Sequence, residues 1–430
     1  MAKIMFSRRK SGKFASRRPL WMKLVVVLLS LILIGEGLYC VVIFSNIPLA
    51  KRLRTMYIET AMSTMSHQWL ATYFIPKDIV DGVVEQMEKA RADQVGHNSS
   101  WTSTEPSKKP TESSAGYSWD AAGSDPEVTA TVAATPEQRA FFDLFFELDQ
   151  DDVLAYVKEH PESVENGWDN LKINEAGLDD DGTSLYTLQG DQVLAVDAAN
   201  QILLVRVSGS TYRGALAICK DPARLKLGVS SSIGAYGQRV GGIAQDNNGV
   251  VAITASGFID EDGHGNGGTL AGACMASGRT YGSHYPWGYK RIELHEDNRL
   301  YITDAHTGFG DDCTDAMEFT PALVVDGEDM SGDTIFTSLN PRACLGQTSD
   351  EAILMLIIEG RLATSLGTDA ATCAGILLRY DCYQAMNMDG GTSAIMWYDG
   401  EYVTRCSNTS TVEGRYVPNA WVYCSSPVED

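Results

Sequence analysis

The sequence predicts an α+β protein: a catalytic-type domain of mixed β-sheet with few helices, preceded by one transmembrane helix, a helical stalk and a flexible linker. Three observations carry that prediction. The 430-residue chain is 44% hydrophobic and 21% charged, which is enough apolar material to fill a core. Beyond about residue 169, short β-like runs alternate with Gly/Asp/Asn turns and few helical stretches interrupt them. A single apolar run near the N-terminus has the length of a bilayer crossing. In chain order the segments are a basic tip (1–23), an anchor (24–44), a stalk (45–95), a linker (96–135), a short helical segment (136–168) and the main domain (169–430).

Charge supports this division. The net charge of −22 argues against a nucleic-acid binder, because phosphate recognition wants a basic surface. That total hides a split. Residues 1–54 hold eleven Lys/Arg and one acid, Glu36, leaving 23 basic and 55 acidic residues beyond them. The run Leu24–Phe44 spans 21 residues, which at about 1.5 Å per residue reaches the thickness of a bilayer core. Eight basic residues precede it and three follow, so the positive-inside bias places the N-terminus in the cytoplasm and the body outside the cell membrane. No A-x-A-like cleavage site follows, and Tyr39 precedes Cys40 where a lipoprotein signal needs a small residue. Gly35 and Gly37 flank Glu36 and would admit a partner helix, which opens self-association through this segment. The other reading places Glu36 near the interface of a tilted helix.

Cys40 lies in the apolar run, and the other eight cysteines all fall beyond residue 218. An even count in an exported domain fits up to four disulfides, and no C-x-x-C pair points to zinc.

The stalk reads as helix. Ala61, Met65, Trp69 and Tyr73 recur at helical spacing, and Ile79, Val83 and Met87 continue the pattern after Pro76. His67 in it reads as a packing or solvent residue. Residues 96–135 are rich in Ser, Thr, Pro, Gly and Ala, the composition of a flexible linker. Asn98-Ser99-Ser100 and Asn408-Thr409-Ser410 match the glycosylation sequon. Thr135 and Pro136 open an amphipathic helix with Phe141, Phe142, Phe145 and Leu148 on its apolar face. Asp149–Asp152 form an acidic cluster that lacks the Gly and distal Glu of a calcium loop, so a solvated helix junction is expected. Calcium is kept as the alternative to an absence of cofactors.

In the main domain, Gln201–Val207, Ala215–Ile218, Val250–Ser256, Leu300–Ile302, Ala322–Val325, Ala352–Ile358 and Trp421–Cys424 read as strands. One helix, capped by Thr368, carries Ala370, Ala374, Leu377 and Leu378 on one face up to Tyr380.

Three short stretches point to chemistry. The β-like run Tyr383–Met388 ends in Asp389-Gly390-Gly391-Thr392-Ser393, where adjacent glycines let backbone N–H groups approach a ligand. Asn340-Pro341-Arg342 sets a guanidinium at the start of a buried-looking strand, where it would pair with a carboxylate or a bound anion. Glu359-Gly360-Arg361 closes a very hydrophobic strand with an acid and a base. Asp260, Asp262 and His264 form a polar loop, and Asp304, His306, Asp311 and Asp312 a second acidic patch without a recognisable metal spacing.

The order of these stretches resembles the phosphodiester glycosidase family. The resemblance runs through Phe319-Thr320-Pro321, Val325-Asp326-Gly327, Asn340-Pro341-Arg342, Glu359-Gly360-Arg361, Ser365-Leu366-Gly367-Thr368 and Asn387-Met388-Asp389-Gly390-Gly391-Thr392-Ser393, with Ser256-Gly257-Phe258 upstream and Arg415-Tyr416-Val417-Pro418-Asn419-Ala420 downstream. Thr392 stands where the family pattern has a third glycine, and Glu359 where it has Asp. The resemblance implies cleavage of a sugar–phosphodiester bond at the anomeric carbon, with a carbohydrate phosphodiester as partner and a role in surface or extracellular polysaccharide. It implies carboxylate roles for Asp389 and Glu359, a phosphate clamp at Arg342, and substrate contacts from Asn387, Gly390, Gly391, Thr392, Ser393, Arg361, Ser256 and His264, with no metal ligands. The alternative is a non-catalytic protein that binds polysaccharide or assists its assembly.

Overall fold

The computed structural model describes residues 20–62, 68–101, 135–260, 265–285, 289–332, 336–408 and 410–428. The chain divides into two compact units, Met1–Arg54 and Thr55–Asp430.

In the first unit a helix runs Leu20–Phe44, starting four residues before the expected anchor. It is 25 residues long and holds an 18-residue stretch with a mean hydropathy of 2.5, long and apolar enough to cross a membrane. Its C-terminal carbonyls would lack partners in an apolar setting. Arg54 turns back and donates to the carbonyls of Val42, Ile43 and Ser45.

The second unit begins well before the expected domain boundary. The stalk is helical as expected, in Pro48–Met62, Trp69–Phe74 and Lys77–Asp93, but its C-terminal part is packed into the fold. Glu59 is fully buried and accepts from the Thr337 N–H and hydroxyl at 2.7 and 2.8 Å. The Gln94 amide brackets the strand Ala322–Val325. It accepts from Ala322 N–H at 3.1 Å and donates to the Ala322 and Met330 carbonyls. Lys290, fully buried, donates to Gln94, His97, Asn98 and Asp304. Trp101 is buried and donates from its indole to the Leu300 carbonyl at 2.9 Å. Residues 96–101, expected to begin a linker, are therefore part of the domain. His67 and residues 102–134 of the expected linker lie outside the described residues.

A nine-stranded sheet forms the centre, in the order Lys172–Asn174, Gln192–Asp197, Ile202–Ser208, Arg213–Cys219, Ile353–Ile358, Arg342–Thr348, Cys382–Asn387, Ala322–Val325, Glu328–Asp329. Side chains alternate across it. Leu204, Ala215, Met355, Leu345 and Met386 face a core shared with two five-stranded sheets. Leu203, Leu216, Leu354, Cys344 and Ala385 face a second core covered by the helices Pro136–Leu144, Gln150–Glu159 and Ala370–Leu378. One five-stranded sheet runs Leu300–Asp304, Lys290–His295, Cys313–Phe319, Ala273–Ala276, Arg279–Gly282. The other runs Glu401–Tyr402, Met396–Tyr398, Gly249–Thr254, Asn419–Cys424, Leu225–Val229. The organisation is α+β, as expected. The ladders are antiparallel wherever the pairing is registered, so the expected mixed sheet is an antiparallel one.

Thr135 and Gln138 form a capping box, and Asp149 caps the next helix through Asp151 and Asp152 N–H, which is the work of the acidic cluster. The helix Ala370–Leu378 is capped by Asp369 rather than Thr368. Thr368 instead exchanges backbone bonds with Asn340. The cysteine expectation is also corrected. All eight cysteines of the second unit are buried free thiols that pack as small apolar side chains, and none is joined in a disulfide.

Candidate active site

The strand Cys382–Asn387 is flanked by Arg342–Thr348 and Ala322–Val325, and its end is where the three sheets come together. Beyond it the chain is held from both sides. Met388 N–H donates to the Ala343 carbonyl of the central sheet, and Asp389 N–H donates to the carbonyl of Ala255, just past Gly249–Thr254. At Gly390 a Cβ would sit 2.4 Å from the Pro341 carbonyl, and Gly391 has φ +57° while its N–H bonds that same oxygen at 3.0 Å. Only glycine fits both demands. Gly391–Ser393 then form one tight turn, and Thr254 bonds the Ser393 carbonyl.

This rigid turn floors a cavity of about 930 Å³. Its polar lining includes Asn387, Asp389, Arg342, Arg361 and Arg415, and its aromatic lining includes Phe258, Tyr285, Tyr289 and Phe319. Tyr285 and Tyr289 stack with centroids 4.4 Å apart at 17°, and Phe319 lies 5.6 Å from Tyr289, a flat shelf of the kind a sugar ring packs on.

Burial pushes the Asp389 carboxyl up to about 6, and Asp260 adds to the rise. A hydrogen bond from Ser393 and the charges of Arg415 and Arg361 act the other way. The group is thus poised to change charge near neutral pH. Asn387 is 4% exposed; it donates to the Thr320 and Met388 carbonyls at 3.0 and 3.2 Å. Its Oδ1 and the Thr320 hydroxyl are buried without a hydrogen-bond partner among the described residues. Two such orphaned atoms in one cavity wall are costly unless a polar ligand meets them.

The cations are arranged so that little of their charge is spent. Arg342 donates to the carbonyls of Thr368 and Ser338 at 3.1 and 2.9 Å, and Arg361 donates to Asn340 Oδ1 at 2.8 Å. These acceptors are neutral, and neither arginine has an ion-pair partner among the described residues. Arg415 is paired with Asp260 at 2.6 Å; it also reaches Thr392 Oγ1 and lies over the Phe258 ring. A carboxylate surrounded by guanidiniums can meet positive charge on a sugar carbon while the guanidiniums receive an anion.

Residues 247–424 match the model of one protein family, described as phosphodiester glycosidase. That stretch, less than half of the chain, is similar to phosphodiester glycosidases. SPbeta prophage-derived uncharacterized protein YomE of Bacillus subtilis (strain 168) is 26% identical over 178 residues, which span 39% of this chain and 27% of that protein. The zebrafish N-acetylglucosamine-1-phosphodiester alpha-N-acetylglucosaminidase catalytic domain, auto-inhibited by its pro-peptide, is similar over 52% of this chain and 82% of its own, with 15% identity and a TM-score of 0.43. A hypothetical protein from Synechocystis is similar over 54% of this chain and 63% of its own, with 14% identity and a TM-score of 0.37.

Within the matched stretch, Asp389, Asn387, Gly390, Gly391, Thr392, Ser393, Arg342 and Arg361 line one cavity. Glu359 does not. Its fully buried carboxylate accepts from Arg213 Nε and Arg405 N–H, both at 2.7 Å, so it ties strand to loop and has no face on the cavity. The expected second catalytic carboxylate is therefore a structural one. The chain reverses side at Gly360, so Arg361, with φ +57°, reaches the cavity while its neighbour two places earlier turns away. Ser256 is 2% exposed and exchanges hydrogen bonds with Asn419, just behind the lining residue Gly257. His264 and Asp262 lie outside the described residues.

Sequence reasoning assigned no role to Arg415, Tyr285, Tyr289 or Arg91, all of which line the cavity, and read Asn408, which also lines it, only as a glycosylation sequon. Arg415 opens the quoted stretch Arg415-Tyr416-Val417-Pro418 and was within reach of it. The others carry no local signal.

Glu293, His295 and Cys313 bring potential metal-ligand atoms within 4.8 Å of one another, outside the cavity lining. Arg291 Nε already lies 2.6 Å from Glu293, and His295 bridges Glu293 and Asp312 at 2.8 and 2.9 Å. These pairs use the donor set internally. In the other expected acidic patch, Asp304 is paired with Lys290.

Proposed function

We propose that the chain is a membrane-anchored glycosidase that hydrolyses sugar-1-phosphodiester bonds outside the cytoplasm, with Asp389 as the acting carboxylate. The observation that carries this reading is the placement of Asp389 in one cavity with Arg342 and Arg361, whose charges have no carboxylate partner among the described residues. The family of the domain supports the same reaction class.

The chemistry needs no strong acid. A phosphomonoester is a good leaving group. The bond from C1 to the bridging oxygen breaks, both electrons leave with that oxygen, and Arg342 and Arg361 receive the departing charge. Positive charge builds on C1 and the ring oxygen, where ionised Asp389 stabilises it and acts either on the carbon directly or through a water. Water supplies the new C1 hydroxyl and releases a proton. The orphaned Asn387 and Thr320 atoms are placed to meet sugar hydroxyls or phosphate oxygens, and the Tyr285–Tyr289 shelf to meet the apolar face of the ring.

The topology follows from the charge split. The eight Lys/Arg that precede Leu24, against three that follow Phe44, hold the N-terminus in the cytoplasm, and Leu20–Phe44 crosses the membrane. The acidic body works outside, on surface or extracellular polysaccharide.

The test is turnover. The full chain in detergent is incubated with a panel of sugar-1-methylphosphates, and free reducing sugar is measured. Asp389→Asn lowers kcat by about 100-fold or more. No turnover on any member of the panel would move the protein to the polysaccharide-binding class.

A further inference from the structure

The helix Lys77–Asp93 brings Arg91 to the cavity wall together with Met87, Glu88 and Ala92. Arg91 differs from the three arginines already described. Arg342, Arg361 and Arg415 each spend hydrogen bonds on protein acceptors. The Arg91 guanidinium has no hydrogen-bond or ion-pair partner among the described residues, and its Nε is buried. Glu88, one turn earlier and exposed, makes no ion pair with it. A guanidinium is a fork of five donors, and stripping water from it without supplying acceptors is costly.

A purely structural role falls short. Arg91 lies in the last turn of its helix, where a cation complements the helix dipole. That accounts for a charge at this position but not for a buried, unpartnered Nε on a half-buried side chain that lines a cavity. The stem is also held in place, because Gln94, one turn on, is pinned to Ala322 and Met330. Tyr289 lies within electrostatic reach of both Arg91 and Asp389, so Arg91 borders the same chamber as the acting carboxylate.

The geometry points to Arg91 as the ligand of a second anionic group, so that the site takes a sugar joined to a diphosphate in preference to a sugar joined to a single phosphodiester. The assignment of substrate rests on the hydrolytic reading above; the anion subsite does not. Arg342 and Arg361 hold the phosphate next to the sugar, and Arg91 receives the next phosphate along the leaving group. The helix Lys77–Asp93, expected to be a spacer, thereby supplies part of the specificity.

The probes are inorganic pyrophosphate and inorganic phosphate, titrated calorimetrically into the full chain in detergent micelles. Wild type binds pyrophosphate about 10-fold or more tightly than phosphate, as an added charge-assisted contact would give. Arg91→Gln abolishes that difference, and Lys89→Gln, an exposed change off the cavity, preserves it. Should Arg91→Gln fail to fold, Arg91→Lys is read instead, with a several-fold loss expected because the ammonium lacks the planar fork. Wild-type pyrophosphate affinity in the Arg91 variant, or equal affinity of wild type for both probes, overturns the proposal. A chain that binds pyrophosphate through Arg91 but cleaves no sugar-1-phosphodiester overturns the hydrolytic reading and keeps the subsite. A chain that cleaves but binds pyrophosphate independently of Arg91 does the reverse.

Discussion

At the scale of the residue, Asp389 sets two measurable behaviours. Its carboxyl is raised to about 6, chiefly by burial, and the ionised form is the one that meets positive charge at C1. The rate at low substrate should therefore climb as pH rises through about 6 and level off above it. Stability runs the other way. The folded-state value lies above the ordinary 3.8, so ionising Asp389 costs the fold at neutral pH, and the cost vanishes once the group is protonated in both states. Asp389→Asn should raise the melting temperature at pH 7 by about 2 °C or more, with the gain disappearing below the ordinary carboxyl range. A variant that loses activity and gains stability in this way separates a catalytic charge from a structural one. Asp389 and its Gly-Gly turn were legible because the turn's residue types state their own geometry. Glu359 was misread for the converse reason. At a strand end the side a carboxylate faces is set by Gly360 and by Arg213, which lies 146 residues away in the chain.

At the scale of the element, the strand Lys290–His295 shows why part of the fold was hidden. Its sequence, KRIELH, reads as a solvated surface, yet Lys290, Arg291 and Glu293 are buried within it. Lys290 is matched by Asp304 and by residues 94–98, while Arg291 and Glu293 are matched by each other and by Thr303, Thr307 and Gly308, and the partners from other elements leave no trace in local periodicity. Burial by itself would raise the Glu293 carboxyl. Hydrogen bonds from His295, Thr303 and Arg291, with the Arg291 charge, bring it down to about 2. A depressed carboxylate stabilises the fold above its unfolded value near 4.5, and that contribution is lost as pH falls toward 2. Glu293→Gln leaves buried Arg291 with Glu318, at 3.9 Å, as its remaining acidic partner among the described residues, and urea unfolding at pH 7 should show a loss of about 2 kcal/mol or more. Little change would mean that Arg291 finds water or a new partner. The strands that were legible, such as Ala322–Val325 and Ile353–Ile358, are uniformly apolar and need no partner to be recognised.

At the scale of the whole molecule, the second unit begins earlier in the chain than composition suggested. Residues 96–101 read as the start of a linker and Gln94 as the end of the stalk, but Gln94, Asn98 and Trp101 are fitted to Ala322, Lys290 and Leu300. A fragment starting at residue 136 loses three of the four acceptors of buried Lys290. It should melt several degrees below one starting at residue 55, or fail to fold. Equal melting of the two fragments would show that the helix Lys77–Asp93 and its extension are decoration.

The acidic body beyond residue 54, with 55 acids against 23 bases, gives this arrangement its purpose. On the proposed reading an anionic substrate approaches against a repulsive field, and the arginines of the cavity reverse it locally. The central claim is that Asp389 acts among those arginines on a sugar-1-phosphodiester. The most direct measurement is the release of reducing sugar from a sugar-1-methylphosphate by the full-length protein across pH 4–8, for wild type and Asp389→Asn. The expected result is turnover that rises through about pH 6 in the wild type and falls by about 100-fold or more in the variant. Equal rates in the two proteins, or a wild-type rate that falls as Asp389 ionises, would contradict it.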